Sequence, residues 1–175
     1  MLVVAATERE LALIEGVETF CCGIGPIEAA AMTARMLSER KPDAVMHVGI
    51  AGARELEALT LVLGSEAVYE DRRGRHGLPR LAPDPALFER IRGALPDALV
   101  LPIGTSGTVG GASACDVEAM EGFAVLRACE LAGVPAVELR AISNSPDEDD
   151  RSKWRFDEAF AALAEAVARV LSSAS

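Results

Sequence analysis

Short apolar runs alternate with segments of helical character along the chain, and this alternation restricts the fold more than any other feature. Each run has the length and composition of a buried strand. The runs lie at residues 2–6, 19–22, 44–48, 61–69, 98–103 and 134–142. Gly64 and Ser65 interrupt the fourth run, which predicts two strands joined by a turn. Strands that alternate with helices predict an α/β fold with a mostly parallel sheet.

The helical segments carry signals at their ends. Thr7 and Glu10 have the spacing of a capping box, which predicts the start of a helix. Gly133 is typical of a residue that ends one. Helices are predicted at residues 7–14, 26–39, 84–93, 121–132 and 156–170. A loop is predicted over residues 71–83, and a loop or bulged strand over the Gly-rich residues 104–113.

Length and composition limit the classes of protein that remain. The 175 residues predict a single domain over 1–175, and a hydrophobic fraction of 50% excludes a disordered chain. The net charge of −10 argues against nucleic acid or an anionic membrane as partner, because both attract basic surfaces. Neither a membrane span of roughly 18 apolar residues nor a signal peptide is apparent. A cytoplasmic location is therefore expected.

Cysteines and histidines do not have the spacing of a metal site. Two of the cysteines are adjacent, and the two histidines are far apart in the sequence. We therefore expect no metal, and free thiols in a reducing compartment. The residues concerned are Cys21, Cys22, Cys115, Cys129, His47 and His76.

Ligands of α/β sheets bind beyond the carboxyl ends of the strands, so the loops there are the candidate site. These loops are expected at residues 7–10, 23–26, 49–52, 104–111 and 143–151. In the second loop, Gly23 and Gly25 begin a dinucleotide pattern, but Glu28 stands where the third Gly is needed. A carboxylate there would repel pyrophosphate, so a tight turn beside a small ligand is predicted instead.

Two glutamates in these regions each allow two interpretations. Glu10 is either the capping partner of Thr7 or a carboxylate at the mouth of a pocket. Glu121 either places a favourable charge at a helix N-terminus or accepts two hydrogen bonds from a vicinal diol. The spacing of the residues leaves both choices open.

Asn144 ends the last predicted strand and also allows two interpretations. Its amide carries both a donor and an acceptor, which can pair with the lactam edge of a base. The alternative is a turn residue, a common use of Asn after a strand.

Several blocks of this sequence occur in a familiar order. The blocks are residues 6–10, 23–25, 42–52, 117–124 and 134–144, followed by Arg151 and Trp154. With these blocks the chain resembles the nucleosidase and nucleoside phosphorylase superfamily, and most closely its futalosine hydrolase branch. The resemblance implies a three-layer α/β sandwich in which helices flank a central, twisted, mostly parallel mixed sheet. It also implies at least a homodimer.

The same resemblance implies roles for individual residues. Glu10 matches the glutamate that activates the attacking water, and Asn144 stands where adenine-specific members carry an aspartate that protonates N7. These two are the expected catalytic residues, and no cofactor is needed. The expected substrate-binding residues are Gly25, Ala51, Gly52, Met120, Glu121 and Ser143.

Two departures from the family pattern indicate which reaction to expect. Ile50 stands where phosphorylases usually have a phosphate-binding Ser, which favours water as the nucleophile. The Asn144 amide can pair with N7 and O6 of a 6-oxopurine, and futalosine carries hypoxanthine. The resemblance thus implies hydrolysis of futalosine to hypoxanthine and dehypoxanthine futalosine, in menaquinone biosynthesis.

Three alternatives remain open. A methylthioadenosine or adenosylhomocysteine nucleosidase is disfavoured by Asn144, and a purine nucleoside phosphorylase is disfavoured by Ile50. A protein that only binds a purine nucleoside is disfavoured by Glu10 and Glu121, since a binder needs no carboxylate to activate water.

Overall fold

The structure is a computed structural model that describes residues 1–71, 79–110 and 114–173. Parts of the two predicted loops, at 72–78 and 111–113, and with them His76, lie outside the described residues. The strands are β1 (Leu2–Ala5), β2 (Glu18–Cys21), β3 (Val45–Ala53), β4 (Leu61–Tyr69), β5 (Arg80–Leu81), β6 (Leu99–Thr105), β7 (Val117–Ala119) and β8 (Ala136–Asn144). The helices are α1 (Glu8–Leu11), α2 (Pro26–Arg40), α3 (Pro85–Ala94), α4 (Gly122–Ala132) and α5 (Phe156–Ser172), with a 3-10 turn at Arg151–Lys153.

The sequence signals that predicted the start of α1 and the end of α4 are confirmed by the structure. The Thr7 hydroxyl accepts the Glu10 N–H, and the Glu10 carboxylate accepts the Thr7 N–H, which confirms the capping box of α1. Gly133 adopts a φ of 68° directly after α4, a left-handed conformation that favours glycine, and so confirms the predicted helix end.

Residues 61–69 form the single strand β4, so the predicted turn at Gly64 and Ser65 is wrong. These residues instead cause an irregularity in the pairing with β6, between Gly64 and Glu66. β4 pairs with β6 on both sides of the irregularity, and this continuous pairing outweighs the local turn signal. Two short strands were also missed: β5 lies inside the predicted loop 71–83, and β7 is too short for a pattern to be visible.

Helices flank a mixed sheet, which confirms the predicted α/β class. Among the described residues eight strands join the sheet, in the order β2-β1-β3-β7-β6-β4-β5, and β8 pairs with both β3 and β4. β3, β8, β4, β6 and β7 therefore close into a ring, and β1 and β2 extend the sheet in parallel from β3. The sequence predicts the sheet but gives no signal for this closure.

Apolar clusters define the layers. One cluster packs α1, α3 and α5 against one side of the sheet, and a second packs α2 and α4 against the other. A third cluster takes residues from each of the five ring strands, among them Ala51, Ile103 and Ile142. Within the described part of the chain, no helix is both long and apolar enough to cross a membrane.

Candidate active site

A cavity of about 290 Å³ opens where the parallel strands β1, β3 and β8 end. This position agrees with the rule that ligands bind beyond the carboxyl ends of strands. The cavity is lined by seven of the eight residues singled out from the sequence: Glu10, Ala51, Gly52, Met120, Glu121, Ser143 and Asn144. Gly25, the eighth, is not among the lining residues, but its N–H donates to Glu121.

Glu10 both caps α1 and faces the cavity, so its two interpretations are compatible. Its Oε2 accepts hydrogen bonds from the N–H and the hydroxyl of Thr7, each at 2.9 Å. Its Oε1 accepts the N–H of Ile50 at 3.2 Å. A carboxylate offers about four acceptor positions, so one remains for a further donor such as water.

Gly49 makes room for this carboxylate. A Cβ built on Gly49 would lie 2.8 Å from Oε1 of Glu10 and would collide with the guanidinium of Arg140. Both side chains are buried and held by hydrogen bonds, so an added methyl group would have to displace them. The sequence of β3 therefore requires glycine at this position.

Glu121 precedes α4, where its side chain makes no capping hydrogen bond. Its Oε1 accepts the N–H of Gly25 at 3.0 Å, and its Oε2 lies 3.7 Å from Nη2 of Arg140. Burial raises the pKa of this carboxyl, and the nearby Arg140 and the Gly25 N–H act in the opposite direction. Gly25 itself has a φ of 87°, which favours glycine in the turn before α2.

A buried network behind the cavity holds Arg140 in place. The guanidinium is 1% exposed, and its Nε donates to Oε1 of Glu138 at 2.8 Å. Its Nη2 lies 2.6 Å from Nε2 of His47, and its Nη1 donates to the Ile50 carbonyl at 3.4 Å. Sequence analysis missed this network, although charges at alternate positions of a buried strand are unusual enough to indicate it.

Glu138 is fully buried, and burial raises the pKa of its carboxyl while Arg140 lowers it. A Cβ on Gly122 would collide with this carboxylate. The small first residue of α4 thus allows the helix to pack against the network.

Ser143 and Asn144 form the end of β8. The Ser143 hydroxyl donates to Oδ1 of Asn144 at 2.8 Å, and Nδ2 of Asn144 donates to the Ser145 carbonyl at 3.0 Å. These contacts orient the amide, as expected of a turn residue, while the side chain still lines the cavity. One amide hydrogen and one lone pair remain beyond these two bonds.

An aromatic wall, which the sequence analysis did not place, forms the side of the cavity near α5. It consists of Trp154, Phe156 and Phe160. The Arg9 guanidinium lies 5.5 Å and 5.2 Å from the centres of the two phenylalanine rings, and its Nη2 pairs with Asp157 at 2.8 Å. This wall is suited to an apolar or aromatic group. Among the described residues, no cluster of three or more metal-ligating side chains is found.

Fold and cavity together have the features of a nucleoside-binding α/β enzyme, and comparison with known proteins defines the class. The family model of the Phosphorylase superfamily matches residues 14–174. Futalosine hydrolase of Streptomyces coelicolor is 32% identical over 187 residues, covering 90% of this chain and 80% of the relative. Futalosine hydrolase of Thermus thermophilus is 33% identical over 176 residues, covering 85% and 78%. The chain therefore belongs to the phosphorylase superfamily and, within it, to the futalosine hydrolase family.

Solved structures agree on the fold. A futalosine hydrolase mutant of Helicobacter pylori superposes with a TM-score of 0.86 at 16% identity, covering 98% of this chain and 97% of that one. A 5′-methylthioadenosine/S-adenosylhomocysteine nucleosidase of Neisseria meningitidis, in complex with methylthio-immucillin-A, gives 0.81 at 24% identity, covering 98% and 96%.

Proposed function

We propose that this protein hydrolyses the N-ribosidic bond of a 6-oxopurine nucleoside, converting futalosine to hypoxanthine and dehypoxanthine futalosine in menaquinone biosynthesis. The observation that carries the proposal is the meeting of Glu10, Glu121 and Asn144 at one cavity. Membership of the futalosine hydrolase family supports the substrate.

Glu10 acts as the general base in this proposal. Glu10 lines the cavity, and its Oε1, which accepts the Ile50 N–H, keeps an acceptor position for a water proton. Two bonds from Thr7 fix Oε2, so the carboxylate holds the water in one orientation. Removing a proton as the water attacks makes the oxygen a better nucleophile toward the anomeric carbon.

Glu121 binds the ribose through its 2′ and 3′ hydroxyls. The Gly25 N–H occupies only one acceptor position of its carboxylate, so positions for both hydroxyls remain. Bond cleavage proceeds through an oxocarbenium-like state, as in O-glycoside cleavage. A carboxylate held beneath the sugar stabilises the positive charge that develops there.

Asn144 binds the departing base. Its free amide hydrogen can donate to O6 or N7. Once solvent water has supplied a proton to N7 of the departing base, the free Oδ1 lone pair can accept a hydrogen bond from this N7–H. The bonds from the Ser143 hydroxyl and to the Ser145 carbonyl hold the amide in one orientation.

Water rather than phosphate is the proposed nucleophile. Ile50 brings an apolar side chain to the cavity, and it cannot hydrogen-bond a phosphate oxygen. The Arg140 guanidinium is already engaged with Glu138, His47 and the Ile50 carbonyl.

Product analysis with purified protein tests this proposal. Futalosine, methylthioadenosine and inosine are incubated with and without phosphate, and released base and sugar are quantified. We expect hypoxanthine release from futalosine at a rate that does not depend on phosphate. Ribose 1-phosphates as main products would indicate a phosphorylase, and faster cleavage of methylthioadenosine would indicate the alternative nucleosidase.

A homodimer is also proposed, with α2 and α4 at the interface. An apolar groove lies between these helices, and its exposed members include Ile27 and Leu131, which are 77% and 72% exposed. Large exposed apolar patches of this kind are typical of protein contacts. Light scattering at micromolar concentration should give twice 18 kDa, and Leu131→Glu should shift the protein toward monomer.

We also propose that the chain forms a single domain and that the protein is cytoplasmic. A single nucleosidase domain over residues 1–175 is supported by the sheet that joins β1 to β8 among the described residues. A cytoplasmic location is supported by the four cysteines, all of which are free thiols. Cell fractionation followed by immunoblotting would test the location.

A further inference from the structure

Glu118 is a buried carboxylate in the cavity wall that the proposed mechanism does not use. It lies in β7, lines the cavity and is 8% exposed. No described residue donates a hydrogen bond to either of its oxygens. Arg54 approaches with Nη2 3.5 Å from Oε1, an ion pair at the outer limit of hydrogen-bond distance.

A buried carboxylate that accepts no hydrogen bond indicates that the donor comes from a ligand. Buried polar groups in folded proteins nearly always have a hydrogen-bond partner, and a buried carboxylate without one is costly. Burial raises the pKa of Glu118, although Arg54 acts in the opposite direction. A ligand that brings an N–H or O–H into the cavity would satisfy these oxygens.

Strand register places Glu118 opposite Asn144. Gly52 on β3 pairs with Glu118 on β7 and with Asn144 on β8, so these two side chains flank the glycine. Adjacent strands are about 4.8 Å apart, so two strands on either side of β3 are separated by roughly 9.6 Å. That separation accommodates a purine ring with a hydrogen bond at each side.

Gly52 lets Asn144 and Pro146 pack closely against β3. A Cβ at this position would lie 3.3 Å from Nδ2 of Asn144 and 3.1 Å from the Pro146 side chain. A side chain here would therefore press against Asn144 and Pro146, both of which line the cavity.

We propose that Glu118 accepts the N1–H of the 6-oxopurine base, while Asn144 binds its O6 and N7 side. The inference rests on the proposed function and names the group that selects the base. In hypoxanthine, O6 lies between N7 and N1, so side chains on the two sides of the base can reach both nitrogens. Adenine has a lone pair instead of a proton at N1, and this lone pair would face the carboxylate unfavourably. Glu118 thus acts as a specificity-determining residue.

Calorimetric binding of free bases tests the inference without requiring turnover. The ligands are hypoxanthine, adenine and 1-methylhypoxanthine, which lacks the N1–H. Wild-type protein should bind hypoxanthine about 10-fold or more tightly than either of the others. In Glu118→Gln the amide can turn its N–H toward N1 of adenine, so the hypoxanthine-to-adenine affinity ratio should fall about 10-fold or more.

Two further variants separate this role from a structural one. Glu66→Gln removes a carboxylate that pairs with Arg80 outside the cavity, and should leave the affinity ratio unchanged. Arg54→Met breaks the ion pair with Glu118. This variant should have a lower melting temperature but a hypoxanthine-to-adenine affinity ratio close to that of the wild type. If Glu118→Gln does not fold, the affinities of the wild-type protein for hypoxanthine and for 1-methylhypoxanthine still test the inference. Equal affinities would show that the N1–H is not recognised.

The outcomes distinguish this inference from the proposed function. Equal affinity of wild-type protein for hypoxanthine and adenine, or a ratio that Glu118→Gln leaves unchanged, overturns the inference even if futalosine is cleaved. Selective binding of hypoxanthine that depends on Glu118, in a protein that cleaves no nucleoside, supports the inference and contradicts the proposed function.

Discussion

Nη2 of Arg140 and Nε2 of His47 lie 2.6 Å apart in the protein interior. Arginine can only donate, so Nε2 of His47 accepts. Nδ1 of His47 lies 3.0 Å from the Val4 carbonyl, which can only accept, so Nδ1 carries the proton. The two contacts together fix a neutral imidazole in a single tautomer. Burial and the charge of Arg140 both lower the pKa of His47 well below its ordinary value.

Stability should therefore depend on His47 in mildly acidic solution. In the unfolded chain His47 takes up a proton near pH 6.5, whereas in the folded protein it stays neutral to a lower pH. The contribution is fully present above pH 6.5 and is lost as pH falls below it. In His47→Gln, an uncharged side chain with one donor and one acceptor, this loss should disappear.

Chemical denaturation between pH 8 and pH 5 measures the effect. The difference in free energy of unfolding between wild type and His47→Gln should change by up to about 1.4 kcal/mol per pH unit below pH 6.5. His76 is present in both proteins, so its contribution cancels. A difference that stays constant with pH would show that His47 takes up its proton at the same pH in the folded protein as in the unfolded chain.

Substitution of Gly49 tests whether catalysis requires Arg140 and Glu10 to keep their positions. Gly49→Ala places a methyl group against both side chains. We expect kcat to fall about 100-fold, since displacement of a catalytic group by about 1 Å has this effect. The free energy of unfolding should fall by about 1–3 kcal/mol, as for other overpacked cores. Steady-state kinetics and denaturation measure the two quantities.

Gly93→Ala is the matched control. Gly93 lies in α3, and a Cβ there would meet nothing within 4 Å. This variant should keep its kcat/KM and change stability by no more than about 1 kcal/mol. If Gly49→Ala were as active as Gly93→Ala, the close packing around Glu10 would have no catalytic importance.

Interactions between residues close in the sequence could be predicted from it, whereas interactions between distant residues could not. The capping box of α1 and the end of α4 depend on neighbouring residues, and both were found. The closed ring of strands and the Arg140–His47 pair join residues far apart in the chain, and no local pattern contains them. Glu118 was missed for the same reason: its significance comes from Asn144, two strands away and 26 positions later.

Glu10→Gln separates the capping role of this residue from its proposed role as base. An amide still accepts a hydrogen bond from Thr7, but its other end brings a donor toward the Ile50 N–H. We expect a stability loss of about 1 kcal/mol. Loss of the base should lower kcat about 100-fold or more. A variant with wild-type kcat would leave Glu10 as a helix cap alone.

Asn144→Asp tests base specificity from the side opposite Glu118. In the variant one carboxyl oxygen still accepts the Ser143 hydroxyl, but the hydrogen that Nδ2 gives to the Ser145 carbonyl is lost. A carboxyl group can accept from the N6 amine of adenine and give a proton to N7, whereas the wild-type amide suits O6. The ratio of kcat/KM for futalosine to that for its adenine counterpart should fall about 10- to 100-fold. Asn144→Ala, which removes both hydrogen-bonding groups, should slow both substrates without favouring adenine. A wild type that prefers the adenine compound, or an unchanged ratio in Asn144→Asp, would show that Asn144 only shapes the turn after β8.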